Sequence, residues 1–215
     1  VQWFLRKYPL LVFLSCCLVL LIAAIGEAPR YASPLHRTGI ALVAMYLVWL
    51  ACEARTAMSS SVESNLSSDR GTVLAYGAAR VVTVASACFV PSHWDDYRPW
   101  MPVLPVLFFI GVALRIVAIR TLGKFYTHKI RTLADHRIVR TGPYRWVRHP
   151  AYAGMLIAHA SFVAYFLNGY SATAFLAMLL PSIVVRIRCE ERILFDVAGY
   201  ADYARERFRL MPFVW

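Results

Sequence analysis

Residues 8–25 read YPLLVFLSCCLVLLIAAI, a run without one charged side chain. A bilayer core is about 30 Å thick, and a helix needs roughly 20 apolar residues to cross it. The run therefore predicts a membrane-spanning helix from Tyr8 to Ile25. It is not read as a cleaved leader, because Leu10 to Ile25 lacks a convincing small-residue cleavage site. Further runs follow at about Thr38 to Cys52, Val73 to Val90 and Trp100 to Ile119. Two more cover about Ala151 to Leu167 and Ser171 to Val185. Arg80 interrupts the third, Pro102, Pro105 and Arg115 the fourth, and Pro181 the sixth. Asn168-Gly169 is a tight-turn signal that makes the last two an antiparallel hairpin.

The whole chain agrees with this reading. Of its 215 residues, 60% are hydrophobic and 16% charged, and mean hydropathy is +0.54. Soluble domains run nearer half apolar and about a quarter charged. The expected fold is an all-α integral membrane bundle of about six transmembrane helices. Residues 1–215 form one membrane domain.

Charge sets the orientation. The net charge of +11 is concentrated beside the apolar spans, so it reads as positive-inside topology rather than nucleic-acid binding. Between Arg120 and Arg148 stand eight Lys or Arg residues against one acid, Asp135. That loop is expected in the cytoplasm, with both termini and the active site, while Ser92 to Arg98 lies outside. Membrane lipid is an expected partner of the basic face. Ser59 to Ser68 is a polar, serine-rich cytoplasmic connection. The tail from Cys189 to Phe208 mixes charges with apolar residues at helical spacing around Gly199, which predicts two short amphipathic pieces at the interface.

Several chemistries find no signature. The five cysteines form no CxxC pair and lie mostly in apolar runs, against a disulfide framework or a zinc site. No His/Cys/acid cluster has metal spacing, so no metal is expected. There is no GxGxxG after a strand and no Walker lysine motif, hence no Rossmann domain. Any cofactor must bind between membrane helices and the basic loop.

Four features can carry chemistry: Arg115 late in the fourth span, the string Gly142 to Gly154 (GPYRWVRHPAYAG), Arg186 at the end of the sixth span, and Glu190-Glu191 after it. Arg186 and Glu190 are four apart and share a helix face. A guanidinium there can hold a carboxylate or phosphate through paired hydrogen bonds, or serve as a snorkelling anchor. Two adjacent carboxylates at a membrane edge require compensation by a cation. A sulfonium cofactor, its amino group, or Arg186, Arg188 and Arg192 would each supply it. Intramembrane charges such as Arg115 usually face a cavity or a partner. Arg80 is a structural partner or an interfacial residue and is assigned no role. Pro150 suits the first position of a helix, which places His149 where helix-end donors favour an anion.

From Arg115 to Pro212 the chain resembles the isoprenylcysteine carboxyl methyltransferase family, itself similar to the phospholipid methyltransferases. The parts occur in order: Arg115, Leu122-Gly123-Lys124-Phe125, His136-Arg137-Ile138-Val139, Gly142-Pro143-Tyr144, then Arg148-His149-Pro150-Ala151-Tyr152-Ala153-Gly154. Arg186 with Glu190-Glu191, Gly199-Tyr200, Tyr203 and Met211-Pro212 complete the series. RHPxYxG combined with the RxxxEE spacing makes the signal strong. The resemblance implies S-adenosyl-L-methionine as cofactor, lined by His136, Arg137, Ile138, Val139, Tyr144, His149, Pro150, Ala151 and Tyr152 and bound by Glu190. It also implies that Arg186 faces the substrate, that a cytoplasmic loop and the C-terminal amphipathic helices close the cofactor pocket, and that 1–99 shape substrate access while 115–212 carry the chemistry. Lys129 stands where eukaryotic members of the family carry glutamine. The substrate is expected to be a lipophilic small molecule or a lipidated acid.

Methyl transfer from a sulfonium is an in-line displacement, which needs alignment and the exclusion of water. A carboxylate nucleophile needs no base, and Arg115 and Arg186 could orient it. An amine needs deprotonation, and Glu191 is then the candidate base. The catalytic candidates are therefore Arg115, Arg186 and Glu191. The most direct expectation is carboxyl O-methylation of an isoprenylcysteine-like acid. The alternatives are phospholipid N-methylation and an NADPH-dependent sterol-reductase-like enzyme. Those reductases share the RHPxYxG segment but end in Val-Pro-Tyr-Arg, where this chain has Phe208-Arg209-Leu210-Met211-Pro212. In a non-catalytic scaffold, the arginines and glutamates would pair only with each other.

Overall fold

The computed structural model describes residues 2–59, 71–123, 138–212 and 215. His136, Arg137 and Lys129, the Lys124-Phe125 pair, most of the basic loop and the serine-rich stretch lie outside them. The regular elements among the described residues are helices. In chain order the long helices are α1 (Gln2–Glu27), α2 (Pro34–Ser59), α3 (Thr72–Phe89), α4 (Val103–Leu122) and α5 (Pro150–Tyr165). Then come α6 (Gly169–Thr173), α7 (Leu180–Leu194) and the short α8 (Tyr200–Arg205). A 3-10 turn at Gly142–Arg145 precedes α5.

Five helices are long and apolar enough to cross a membrane by length and composition: Lys7–Arg30, Pro34–Ala54, Thr72–Phe89, Val103–Leu122 and Gly169–Leu194. The large side chains they turn outward are apolar; Leu18, Ile25 and Phe109 are each at least 60% exposed. In water that surface would be unfavourable, whereas lipid tails solvate it. The protein is embedded in the membrane. α5, also expected as a span, has 16 residues. Its length of about 24 Å falls short of the bilayer core.

The last expected span does not end at Val185. Between α6 and α7, Ala174–Leu179 is wound as a π-helix, and the three pieces run on without a break to Leu194. The Leu180 N–H bonds to the Phe175 carbonyl, and Pro181, next in line, has no N–H to donate. The wider turn absorbs the proline that would otherwise break the ladder. Arg186, Glu190 and Glu191 thus ride on the end of a spanning helix rather than on a separate tail piece. Asn168 caps this helix by a reciprocal box, accepting from the Ser171 N–H at 2.8 Å while its own N–H reaches the Ser171 hydroxyl at 3.2 Å.

The tightest helix pair is α4 with α5. A Cβ built on Gly111 would lie 2.6 Å from the Gly154 carbonyl oxygen, and one on Gly154 would press on the Gly111 carbonyl. Small residues let membrane helices meet backbone to backbone. Beside this seam, Tyr46, Trp49, Phe108 and Phe162 are fully buried and pack ring on ring with centroids 5.1–6.3 Å apart.

Candidate active site

The string Arg148-His149-Pro150 is where loop becomes helix. Pro150 occupies the first turn of α5, where its missing N–H costs nothing, and His149 is the residue before it. The backbone here is held by the C-terminal tail. Val147 pairs with Phe208 in a parallel bridge, the Arg148 N–H donates to the Phe208 carbonyl at 2.8 Å, and the His149 N–H donates to the Arg209 carbonyl at 2.9 Å. Tyr203 of α8 donates its hydroxyl to the Tyr144 carbonyl at 2.8 Å. Burial pushes the Tyr203 phenol up to about 12, so it remains a protonated donor across the physiological range. Arg140 reaches the Gly199 carbonyl at 3.2 Å. Gly199 has φ +81, the left-handed conformation that glycine adopts without strain, and it starts α8.

Two carboxylate clusters lie against this segment. Glu191 is buried and both its oxygens are engaged. One accepts from Arg148 at 2.7 Å and faces His149 Nε2 at 3.2 Å, while the other accepts from Arg209 at 2.8 Å. The tail is thus tied to the RHP string through its backbone and through Glu191. On the neighbouring face, the Tyr152 hydroxyl donates to Glu190 at 2.9 Å and accepts from Arg186 Nε at 3.0 Å. Arg186 Nη1 donates to the Thr72 hydroxyl at 3.1 Å. Arg186 and Glu190 do share a helix face, and the Tyr152 phenol bridges them.

Arg115 stands deeper. Its Nε donates to the Glu53 carboxylate, and its Nη1 donates to the Ala151 carbonyl at 3.2 Å. The arginine therefore fastens α2 and α4 to the first turn of α5. Trp49 Nε1 donates to the same carboxylate at 2.8 Å, and Arg80 Nη1 lies 3.8 Å from it. Val139 packs with Tyr144, Ala118, Ile119 and Ala151 in a small apolar cluster beside the site. Ile138 is half-buried. The structure thus gathers Tyr144, His149, Pro150, Ala151, Tyr152, Arg186, Glu190 and Glu191 into one region, with Arg115 behind it.

Sequence reasoning missed Glu53, Thr72, Arg148 and Arg209 as members of this network. Glu53 had a readable signal, being an acid at the end of an apolar span, where a buried partner is the rule. Thr72 and Arg209 had none, since their roles depend on contacts across 114 and 18 residues.

The chain was compared with known proteins. Residues 103–196 match the model of the isoprenylcysteine carboxyl methyltransferase (ICMT) family. Protein-S-isoprenylcysteine O-methyltransferase B of Arabidopsis thaliana is 32% identical over 151 residues, covering 65% of this chain and 74% of the relative. The Saccharomyces cerevisiae protein-S-isoprenylcysteine O-methyltransferase is 32% identical over 113 residues, which span 51% of this chain and 47% of that protein. The solved structure of a eukaryotic intramembrane Ras methyltransferase, ICMT, superposes with a TM-score of 0.51 at 23% identity, covering 95% of this chain and 73% of that one. That likeness concerns the fold.

Proposed function

The chain belongs to the isoprenylcysteine carboxyl methyltransferase family, and from that membership we propose that it methylates the carboxylate of a prenylated cysteine, with S-adenosyl-L-methionine as donor. The single observation that favours a carboxylate over an amine as acceptor is the state of Glu191. An amine must lose a proton, and Glu191 is the buried acid beside the site that could take it. Both of its oxygens are already held by Arg148, His149 and Arg209. A carboxylate so clamped is a poor base. A carboxylate acceptor needs none, because the transfer forms one O–CH3 bond, returns one electron pair to the donor's sulfur and moves no proton. Among the relatives named above, none is a reductase, so the NADPH alternative is not favoured.

The site offers polar groups that suit a cationic amino-acid cofactor. The second Glu190 oxygen has no protein partner among the described residues, and it can face an ammonium or a sulfonium. The Tyr200 hydroxyl and Arg148 Nε are buried without a hydrogen-bond partner among those residues. Such groups are costly unless a ligand satisfies them. When bound, the cofactor supplies an electrophilic methyl group. Glu190 would hold its positive end, Tyr152 fixes Glu190, and Tyr144 and Val139 would help to exclude water. His149 is a positioning residue, held by Glu191 at the entrance to α5. His136 and Arg137 keep the cofactor roles that the family resemblance implies.

On the substrate side, Arg186 orients the acceptor carboxylate, itself aimed by Thr72 and Tyr152. Arg115 acts through Ala151 and Glu53, shaping the floor of the site rather than touching the acid. Residues 1–99 and 115–212 work as one unit, because Glu53 and Thr72 reach the site from the first part. The positive-inside excess favours the cytoplasmic side for the site, where a lipidated substrate would lie with its chain in the bilayer.

Incubation of the purified protein with N-acetyl-S-farnesylcysteine and methyl-labelled cofactor tests the reading. Label on the farnesylcysteine that base releases as methanol is expected. Base-stable label on phosphatidylethanolamine instead would establish N-methylation and reject it.

A further inference from the structure

The face of α3 that carries Thr72 also carries Tyr76 and Arg80, each four residues further on. Eight residues of helix span about 12 Å, so a line of polar groups runs from Arg186 into the bundle. Tyr76 donates to the Met155 sulfur at 2.9 Å and accepts from Arg80 Nη1 at 3.4 Å. Arg80 Nε donates to the Tyr46 hydroxyl at 3.0 Å, and its guanidinium lies 4.7 Å from the Trp49 ring. The chain of donors ends at His159. Its Nδ1 lies 2.8 Å from the Met155 carbonyl and must donate there, so Nε2 is left to accept from Tyr46 at 2.8 Å. This arrangement requires the neutral imidazole.

Among the described residues Glu53 is the acid that Arg80 meets, 3.8 Å from Nη1, and that carboxylate already accepts from Arg115 and Trp49. Arg80 is 6% exposed, and its Nη2 is buried with no hydrogen-bond partner among the described residues. A guanidinium with an unspent donor inside a membrane bundle is costly unless an acceptor completes it.

We propose that Arg80 Nη2, between α2, α3 and α5, is an intramembrane docking point for the substrate's carboxylate on its way to Arg186. The inference rests on the carboxyl methylation proposed above. It also supplies a reason for product release, since the methyl ester is neutral and loses the attraction that held the acid.

The test compares N-acetyl-S-farnesylcysteine as substrate with its neutral carboxamide as inhibitor, in wild type, Arg80→Gln and Arg80→Lys. Loss of a hydrogen bond to a charged group predicts a KM for the acid raised about tenfold or more in Arg80→Gln. The kcat and the carboxamide Ki should stay within about threefold, because neither depends on docking a charge. Arg80→Lys keeps the charge without the fork and should give an intermediate KM; a value no better than glutamine overturns the proposal. Equal weakening of acid and carboxamide would mean a purely structural arginine, and an unchanged KM an idle one; both overturn it. A loss of S-adenosylmethionine affinity with an unchanged KM for the acid would assign Arg80 to the cofactor's carboxylate and overturn it as well. If the glutamine variant does not fold, the lysine variant decides by the same split between KM and Ki. Failure of wild type to methylate the acid at all would reject the carboxyl methylation itself, and is told apart from all of these.

Discussion

Two buried glutamates, Glu53 and Glu191, each sit among several cations, and they differ in what surrounds them. Glu191 stands at the end of α7, near the interface, and is matched by Arg148, His149 and Arg209. One of those partners, Arg209, keeps about a third of its side chain exposed. Glu53 stands inside the bundle, where Arg115 and Arg80 are both almost fully buried. Near the interface, water can relieve an imbalance of charge. In the bundle it cannot, so the buried Arg80 Nη2 donor can be met only from within the bundle. One constellation, an acid with arginines, thus meets two different environments according to its depth.

The comparison can be broken first at Glu53. Glu53→Ala leaves two buried guanidinium groups without their counter-charge and should cost about 3–5 kcal/mol. Loss of the folded protein from detergent extracts, or a large fall in its melting temperature, checks it. A well-folded Glu53→Ala would show that the deep cluster is wetter than its burial indicates. Glu191→Ala should cost less, about 1–3 kcal/mol, since Arg209 already keeps about a third of its side chain in reach of water. Its larger effect should be on cofactor affinity, read by isothermal titration, because the tail and the RHP string lose their common anchor.

Tyr152→Phe sharpens the contrast between fold and function. It removes the hydroxyl that joins Arg186 to Glu190, and kcat/KM should fall about tenfold or more while the melting temperature hardly moves. The smallest effect is expected at Arg209→Ala, whose partly exposed ion pair contributes about 1 kcal/mol or less. Chemical denaturation would detect it as a small shift in midpoint. A shift as large as that of Glu191→Ala would mean that Arg209, rather than the two partners on the RHP string, dominates the clamp.

Much of this was legible before the structure. The apolar runs announced the bundle, since crossing a bilayer imposes a length that a one-dimensional scan can measure. Arg186 and Glu190 were placed on one face by helical spacing, and Pro150 was placed at a helix start. The extension of α7 to Leu194 was not legible, because Pro181 reads as an interruption until the π-turn around it is seen. The end of α5 lies two residues before the expected one for a related reason. Phe166 and Leu167 are apolar but belong to the connection that Asn168 caps.

The sequence by itself determined the membrane class, the order of the helices and the motif that carries the family. Each is a property of neighbouring residues, set by hydropathy and by spacing along one helix. Only the tertiary structure decided that Arg115 belongs to Glu53, that Arg209 belongs to Glu191 and that Arg80 has a donor to spare. Those pairs join residues 62 and 18 positions apart, or depend on what four packed helices fail to provide. Local periodicity states which face of a helix is polar. Which polar groups meet across the bundle follows from packing, of which the close approach of α4 and α5 at Gly111 and Gly154 is one part.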